Sequence, residues 1–233
     1  MRRVSILGAG ESGIGTAMLC KKHGIEAFLS DHGTIADKHV VELEGAGIPY
    51  EQGQHSVERI FAADIVVKSP GIPNYAPIIK DAVAKGIPVV SEIEFASLFL
   101  PAGTRLVAIT GSNGKTTTTA LTGELFKAAG KRTFVLGNIG IPITERAMEV
   151  KDGDVIVAEV AALQLESIKS FRPNAFGMLN ITEDHLNRFQ YKMENYIAAK
   201  CRGFENQTPQ DFAVLNYDDP IVRDMAKLTR ARV

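Results

Sequence analysis

One stretch constrains the chain more than any other: Ala108-Ile109-Thr110-Gly111-Ser112-Asn113-Gly114-Lys115-Thr116-Thr117. The apolar run 105–109 feeds a loop with glycines at 111 and 114. A lysine and a run of threonines follow, then a helical stretch over 120–129 that Gly130 ends. Strand, glycine loop and helix N-terminus together make a phosphate cradle. Glycines let backbone N–H groups turn toward an anion, and the helix dipole favours negative charge there. Lys115 adds a point charge for terminal phosphates, and the Thr116 hydroxyl is of the type that ligates Mg²⁺. The spacing is shorter than the usual G-x-x-x-x-G-K-[ST], because Ile109 occupies the place of the first glycine. The competing reading is an ordinary strand-to-helix turn that contains Gly-Lys-Thr.

A second glycine loop lies near the N-terminus. The short strand 4–7 enters Gly8-Ala9-Gly10-Glu11-Ser12-Gly13, a G-x-G-x-x-G match, and a helix runs on to Gly24. The next strand, 26–29, ends at Asp31. An acidic residue about twenty positions past the glycines is where a dinucleotide fold keeps its ribose-binding carboxylate. The local reading is a Rossmann-type nucleotide-diphosphate site. Glycines that merely permit close helix–strand packing are the alternative.

The alternation continues, with helices over 35–44 and 77–85 and strands over 65–68 and 87–90. Strands separated by helices imply a parallel, doubly wound sheet, with ligands at the carboxyl ends of the strands. Ser69-Pro70-Gly71-Ile72-Pro73 falls at such an end, where a rigid surface turn is the competing reading. A short helix over 91–100 precedes Pro101-Ala102-Gly103-Thr104, which breaks the pattern. The expected domains are 1–93 and 94–233. In the second, strands are expected over 133–136, 154–160, 175–179 and 212–215. Helices are expected over 193–204 and, with a basic tail, 221–233. The fold class is therefore α/β: a Rossmann-like sheet followed by a partial phosphate-loop α/β domain of ATPase type.

Composition narrows the partners. A net charge of −1 gives no reason to expect nucleic acid or an anionic membrane. Cys20 and Cys201 stand far apart in helical contexts and read as thiols of a reduced compartment. The start Met1-Arg2-Arg3-Val4 runs directly into a strand pattern, unlike a signal peptide. No apolar run reaches membrane-span length. The expected location is the cytoplasm.

Three residues of the second domain are chemical candidates. Glu159 ends an apolar strand, where a carboxylate is placed to face a nucleotide-bound cation. His185 follows a strand end beside Glu183 and Asp184, suited to a metal or a phosphate, or simply solvated. Lys200 on an amphipathic helix would by default be a surface lysine.

Five ordered motifs alter these readings together. Thr110–Thr117, Gly137-Asn138-Ile139-Gly140, Glu159-Val160 with Gln164-Leu165-Glu166, Asn180-Ile181-Thr182-Glu183-Asp184-His185-Leu186 and Tyr196 with Ala199-Lys200 resemble the Mur ligases of peptidoglycan synthesis. The loops Gly8–Gly13 and Ser69-Pro70-Gly71-Ile72, with Glu92-Ile93-Glu94, favour the member that adds D-glutamate to UDP-N-acetylmuramoyl-L-alanine.

The resemblance implies an ATP-dependent, cytoplasmic, monomeric ligase of cell-wall biogenesis, cell shape and cell division. ATP would phosphorylate the substrate carboxylate to an acyl phosphate, which the amino group of D-glutamate attacks. Gly111, Ser112, Asn113, Gly114, Lys115, Thr116 and Thr117 would hold ATP. Lys115, His185 and Lys200 would be catalytic. Thr116 and Glu159 would hold one Mg²⁺, and His185 with a carbamylated Lys200 would hold a second. Gly10, Glu11, Ser12, Asp31, Ser69, Pro70, Gly71, Asn138 and Gln164 would contact the UDP-linked substrate. The first glycine loop would then take UDP and not NAD.

The chain departs from the family pattern in three ways. Ala161, Ala162 and Leu163 stand where Ser-Ser-Phe is usual. Asn187 replaces an aspartate, and Gly203 replaces an apolar residue in what reads as a helix, where glycine costs about 1 kcal/mol relative to alanine. The chain stops at Val233, before the family's C-terminal domain, so the free-standing chain is expected to be a fragment or truncated copy without ligase turnover. A non-catalytic UDP-sugar- or nucleotide-binding module is the alternative. An NAD-dependent oxidoreductase rests on Gly8–Gly13 alone and leaves Lys115-Thr116 unexplained.

Overall fold

The computed structural model describes residues 1–184 and 186–233. Its contacts divide the chain into two units. One comprises Met1–Phe99 with Pro142–Met148, the other Leu100–Ile141 with Glu149–Val233.

In the first unit the order is β1 (Arg3–Leu7), α1 (Glu11–Lys22), β2 (Glu26–Asp31), α2 (Asp37–Ala46), β3 (Tyr50–Gln52), α3 (Val57–Phe61), β4 (Ile65–Lys68), α4 (Pro77–Ala84), β5 (Val89–Ser91) and α5 (Glu92–Ser97). All strand pairs are parallel, in the order β3-β2-β1-β4-β5. Val4, Ile6 and Leu7 of the central strand are buried, as expected for a sheet covered on both faces. Leu7, Phe28, Val66 and Val89 from four strands pack with Ile60 of α3 and Ile79 of α4. Pro77 opens α4 at a position where its missing N–H costs nothing. A division after residue 93 would cut α5, whose Ile93, Phe95 and Ala96 are fully buried in this unit. Phe95 packs on Phe99 with ring centroids 5.1 Å apart, so the unit runs through Phe99.

The second unit holds β6 (Arg105–Thr110), α6 (Lys115–Ala128) and β7 (Thr133–Gly137). The short α7 (Ile143–Arg146) that follows belongs to the first unit. Next come β8 (Val155–Glu159), α8 (Ala162–Leu165), β9 (Ala175–Met178), α9 (Met193–Cys201), β10 (Phe212–Leu215) and α10 (Pro220–Asp224). This sheet is also parallel throughout, in the order β10-β9-β6-β8-β7. Every residue of β8 is buried, including its terminal carboxylate, Glu159.

The α/β class holds for both units, and several local expectations are corrected. Helix α6 starts at Lys115, not near residue 120, despite four β-branched threonines at its start. Gly114, in the left-handed region at φ 80°, turns the loop so that the Thr118 amide can reach its carbonyl at 3.0 Å. Helix α9 ends at Cys201, and Arg202–Phe204 form a 3-10 turn. Gly203 is therefore not a weak point inside a helix. A Cβ there would stand 2.1 Å from the Phe176 ring, so glycine is what lets β9 and this turn approach. The expected C-terminal helix is only α10 and a 3-10 turn over Met225–Leu228. The residues after it are not a free basic tail. The Ala213 amide donates to the Arg232 carbonyl at 2.8 Å and the Arg232 amide to the Asp211 carbonyl at 3.0 Å, extending the sheet edge.

Candidate functional site

In the second unit the parallel register brings Glu159 at the end of β8 beside Ile109 of β6 and Gly137 of β7. The chain leaves β6 through Gly111–Gly114 into α6, so the first turn of α6 rises over the same sheet edge. Thr116 Oγ1 donates to Glu159 Oε2 at 2.9 Å. Asn138 Nδ2 donates to Glu159 Oε1 at 3.2 Å, and the Asn138 amide to the Glu159 carbonyl at 2.9 Å. Glu159 is only 2% exposed. The hydrogen bonds its carboxylate accepts come from neutral groups, an arrangement completed by a cation. The oxygens are hard, as Mg²⁺ requires, so Thr116 and Glu159 fit that ion.

The loop itself is held rigidly from one side. The Ser112 amide donates to the Asn180 carbonyl at 3.0 Å, and the Asn113 amide to Asn180 Oδ1 at 2.8 Å. Asn180 Nδ2 donates back to the Asn113 carbonyl at 3.0 Å. Ser112 Oγ donates to the Thr182 carbonyl and accepts from the Thr182 amide, both at 2.9 Å. The segment after β9 thus clamps the loop, while Thr116 and Thr117 remain exposed. Lys115 Nζ donates to the Ser112 carbonyl at 2.9 Å, folded over the loop that it would serve.

Lys200 is not a surface lysine. It is 1% exposed, and its Nζ donates to the Gly111 carbonyl at 2.8 Å and to Thr110 Oγ1 at 3.1 Å, directly under the phosphate loop. Burial, and then the nearby Lys115 charge, push its ammonium down to about 7 against a weaker pull from Asp184. A buried amine that is half neutral near neutrality is a nucleophile, unlike an ordinary lysine. His185 lies outside the described residues. Among the described residues no three His, Cys, Asp or Glu side chains cluster as a metal site.

A groove of about 510 Å³ adjoins the loop. Asn113, Gly114 and Thr118 form one wall, Leu179, Asn180 and Asn216 another, and Ile109 and Val214 contribute apolar surface. Asn216 Nδ2 donates to the Leu179 carbonyl at 2.9 Å, which ties the β10 exit to the β9 exit.

In the first unit a cavity of about 530 Å³ opens at the carboxyl ends of β1, β2 and β4. It brings together Gly8, Ala9, Gly10, Asp31 and Ser69 with His32, His55 and Ile72. Asp31 Oδ2 accepts from the Ala9 amide at 2.6 Å and Oδ1 from the Gly33 amide at 2.7 Å, so it braces the glycine loop as well as facing the cavity. The cavity lining does not include Glu11, Ser12, Pro70 or Gly71. Glu11 points to Lys38 instead, at 2.5 Å. Gln164 is 2% exposed, and its Oε1 accepts from the Ala161 amide at 2.9 Å, which caps α8. His32 and His55 carried no motif and escaped sequence reading.

Both units are similar to known proteins. Residues 109–233 match the model of the Mur ligase middle domain, and residues 2–91 that of the Mur ligase MurD-like N-terminal domain. A UDP-N-acetylmuramoylalanine–D-glutamate ligase of Cytophaga hutchinsonii is 44% identical over 97% of this chain and 50% of its own length. The same-named ligase of Bacteroides fragilis is 46% identical over 96% of this chain and 50% of its own length. The chain thus spans about half the length of the curated relatives it matches. Among solved structures, a Neisseria UDP-N-acetylmuramate:L-alanyl-gamma-D-glutamyl-meso-diaminopimelate ligase shares the fold. Its TM-score is 0.68 at 18% identity, covering 100% of this chain and 77% of that one.

Proposed function

The chain belongs to the Mur ligase family, and from that premise we propose that it carries the UDP-substrate and ATP sites of a ligase that adds D-glutamate to UDP-N-acetylmuramoyl-L-alanine. The observation that supports this most is the convergence of Thr116, Asn138 and buried Glu159 at the mouth of the Lys115 loop. The identities near 45% to ligases of that name point to the same substrates.

The first unit would hold the UDP moiety in its glycine-loop cavity. The second would hold ATP, with the loop amides and Lys115 on the phosphates and the groove beside Asn180 and Asn216 for the nucleoside. Thr116 and Glu159 would hold Mg²⁺, which when bound offsets the concentrated phosphate charge. His185 and Lys200 would serve a second ion. The neutral Lys200 amine adds CO₂ with loss of a proton, and the resulting carbamate offers anionic oxygens in place of a cation. The reaction would transfer the γ-phosphoryl group of ATP to the alanyl carboxylate. The D-glutamate amine would then displace phosphate, giving amide, ADP, phosphate and a released proton. We place this chemistry in the cytoplasm, where ATP is available.

Phosphate release measured with ATP, D-glutamate and UDP-N-acetylmuramoyl-L-alanine tests the reading. Release that requires both acceptor substrates supports the ligase. Saturable binding of both ATP and the UDP-linked substrate without release fits a chain that spans half the length of its ligase relatives, binding of the UDP-linked substrate alone favours a binding module, and binding of neither refutes both.

A further inference from the structure

The glycine loop after β1 is held at two successive peptides by side chains from other elements. The Ala9 amide donates to Asp31 Oδ2 at 2.6 Å, at the end of β2. The Ala9 carbonyl lies 2.8 Å from Nδ1 of His39, in the first turn of α2. A carbonyl oxygen only accepts, so Nδ1 carries a hydrogen and donates it. His39 is 5% exposed, and its Nε2 is buried without a hydrogen-bond partner, 3.5 Å from the Glu11 carboxylate. A buried nitrogen left unpaired costs stability, so packing alone gives no reason for a histidine here.

What the bond from His39 fixes follows from the peptide plane. The Ala9–Gly10 peptide is trans, so its C=O and N–H point in opposite directions. With the carbonyl turned to His39, the Gly10 N–H points away from that ring. Gly10 itself lines the cavity and is exposed. Turning this peptide over would rotate ψ of Ala9 and φ of Gly10 by about half a turn. From its φ of −74°, Gly10 would pass to positive φ, which glycine adopts readily. The residue that lets a ligand come close therefore also permits a flip that would present a carbonyl oxygen in place of the amide. The bond from His39 opposes that flip.

We propose that His39 is a positioning residue for the diphosphate, holding the Ala9 carbonyl so that the Gly10 N–H stays turned toward the anion. This rests on the reading of the cavity as a UDP-substrate site. The neighbouring amides are committed within the fold: Gly8 donates to the Ser30 carbonyl at 2.9 Å, and Gly13 and Ile14 donate to the Gly10 carbonyl at 2.9 and 3.0 Å. That leaves the amides of Gly10, Glu11 and Ser12 for an anion, so the orientation of each one counts.

The residue before His39 serves the same end of α1. Glu11 stands in the first turn of that helix, where its charge would repel a diphosphate. Lys38 Nζ holds the Glu11 carboxylate at 2.5 Å. Two consecutive residues of α2 thus support the glycine loop, Lys38 by offsetting a charge and His39 by orienting an amide.

Calorimetric titration of the chain with UDP and with uridine tests this. In H39L, UDP should weaken at least about tenfold, while uridine, which has no phosphate, should bind as before. H39N, whose amide nitrogen can take the place of Nδ1, should restore most of the UDP affinity. A merely structural role would weaken both ligands alike; that result, or UDP affinity indifferent to H39L, overturns the inference. The wild-type chain gives a readout that holds even if H39L does not fold. In an NMR titration UDP, and not uridine, should shift both the Gly10 amide and the His39 Nδ1–H resonances, because the two groups sit on one peptide. UDP binding that moves neither resonance overturns the inference while leaving the substrate site intact. Wild-type binding of neither UDP nor the UDP-linked substrate overturns the substrate reading and this inference with it.

Discussion

Thr116 Oγ1 donates to Glu159 Oε2 at 2.9 Å, joining the first turn of α6 to the buried end of β8. The two residues are distant in sequence and meet only because β8 lies beside β6 in the sheet. The proposed site for a metal-bound nucleotide rests on this juxtaposition. Replacing Glu159 by Gln should weaken Mg²⁺-ATP binding at least about tenfold, because the oxygen that compensates the cation is lost. The apo variant should melt within about 1 kcal/mol of wild type or higher, since a buried charge with neutral partners has been removed. Titration calorimetry and urea unfolding separate the two effects.

Lys200 should make stability depend on pH. Its amine titrates at about 7 in the folded chain, against 10.5 as the ordinary value. Between these values the unfolded chain binds more protons, so stability rises with pH there, by at most about 1.4 kcal/mol per pH unit. Below about pH 7 both states are protonated and the full burial penalty is felt. In EDTA, wild-type stability should climb relative to K200M from pH 7 toward 10. Parallel curves for the two proteins would refute the buried-amine assignment.

Glu92 behaves in the opposite sense. It is 1% exposed, and its Oε1 accepts from the Thr144 amide at 2.7 Å, while its Oε2 has no hydrogen-bond partner. Desolvation raises its pKa above 4.5, outweighing the bonds from Thr144 and Ile143. The folded chain then binds the extra proton above pH 4.5, so wild type should lose stability relative to E92Q as pH rises through that window. E92A, which strands the Thr144 amide, should cost about 1–3 kcal/mol. Urea midpoints for the three proteins across pH check both statements.

Gly203→Ala should destabilise the chain by about 1–3 kcal/mol, because a methyl group would enter the Phe176 ring. Helix propensity alone predicts a gain of about 1 kcal/mol. Chemical denaturation decides between the two signs.

These sites show how far the sequence could be read. The phosphate loop, the strand-end carboxylate and both parallel sheets were legible because each is local: an apolar run, a glycine turn, a helix start. The three-residue β3 and the single-turn α7 and α8 were not, since segments that short take their form from packing. The burial of Lys200 was hidden because a lysine on a helix reads as solvated until the β6 loop closes over it. The Ser30–Glu51 hydrogen bond was hidden because parallel register, and not spacing along the chain, brings β2 and β3 together.

The most direct test of the central claim is calorimetric titration of the chain with ATP, in Mg²⁺ and in EDTA, for wild type, K115A and E159Q. The account predicts saturable ATP binding that requires Mg²⁺, disappears in K115A and loses its Mg²⁺ dependence in E159Q. ATP binding that is absent from wild type, or that is equal with and without Mg²⁺ and unaltered in E159Q, would contradict it.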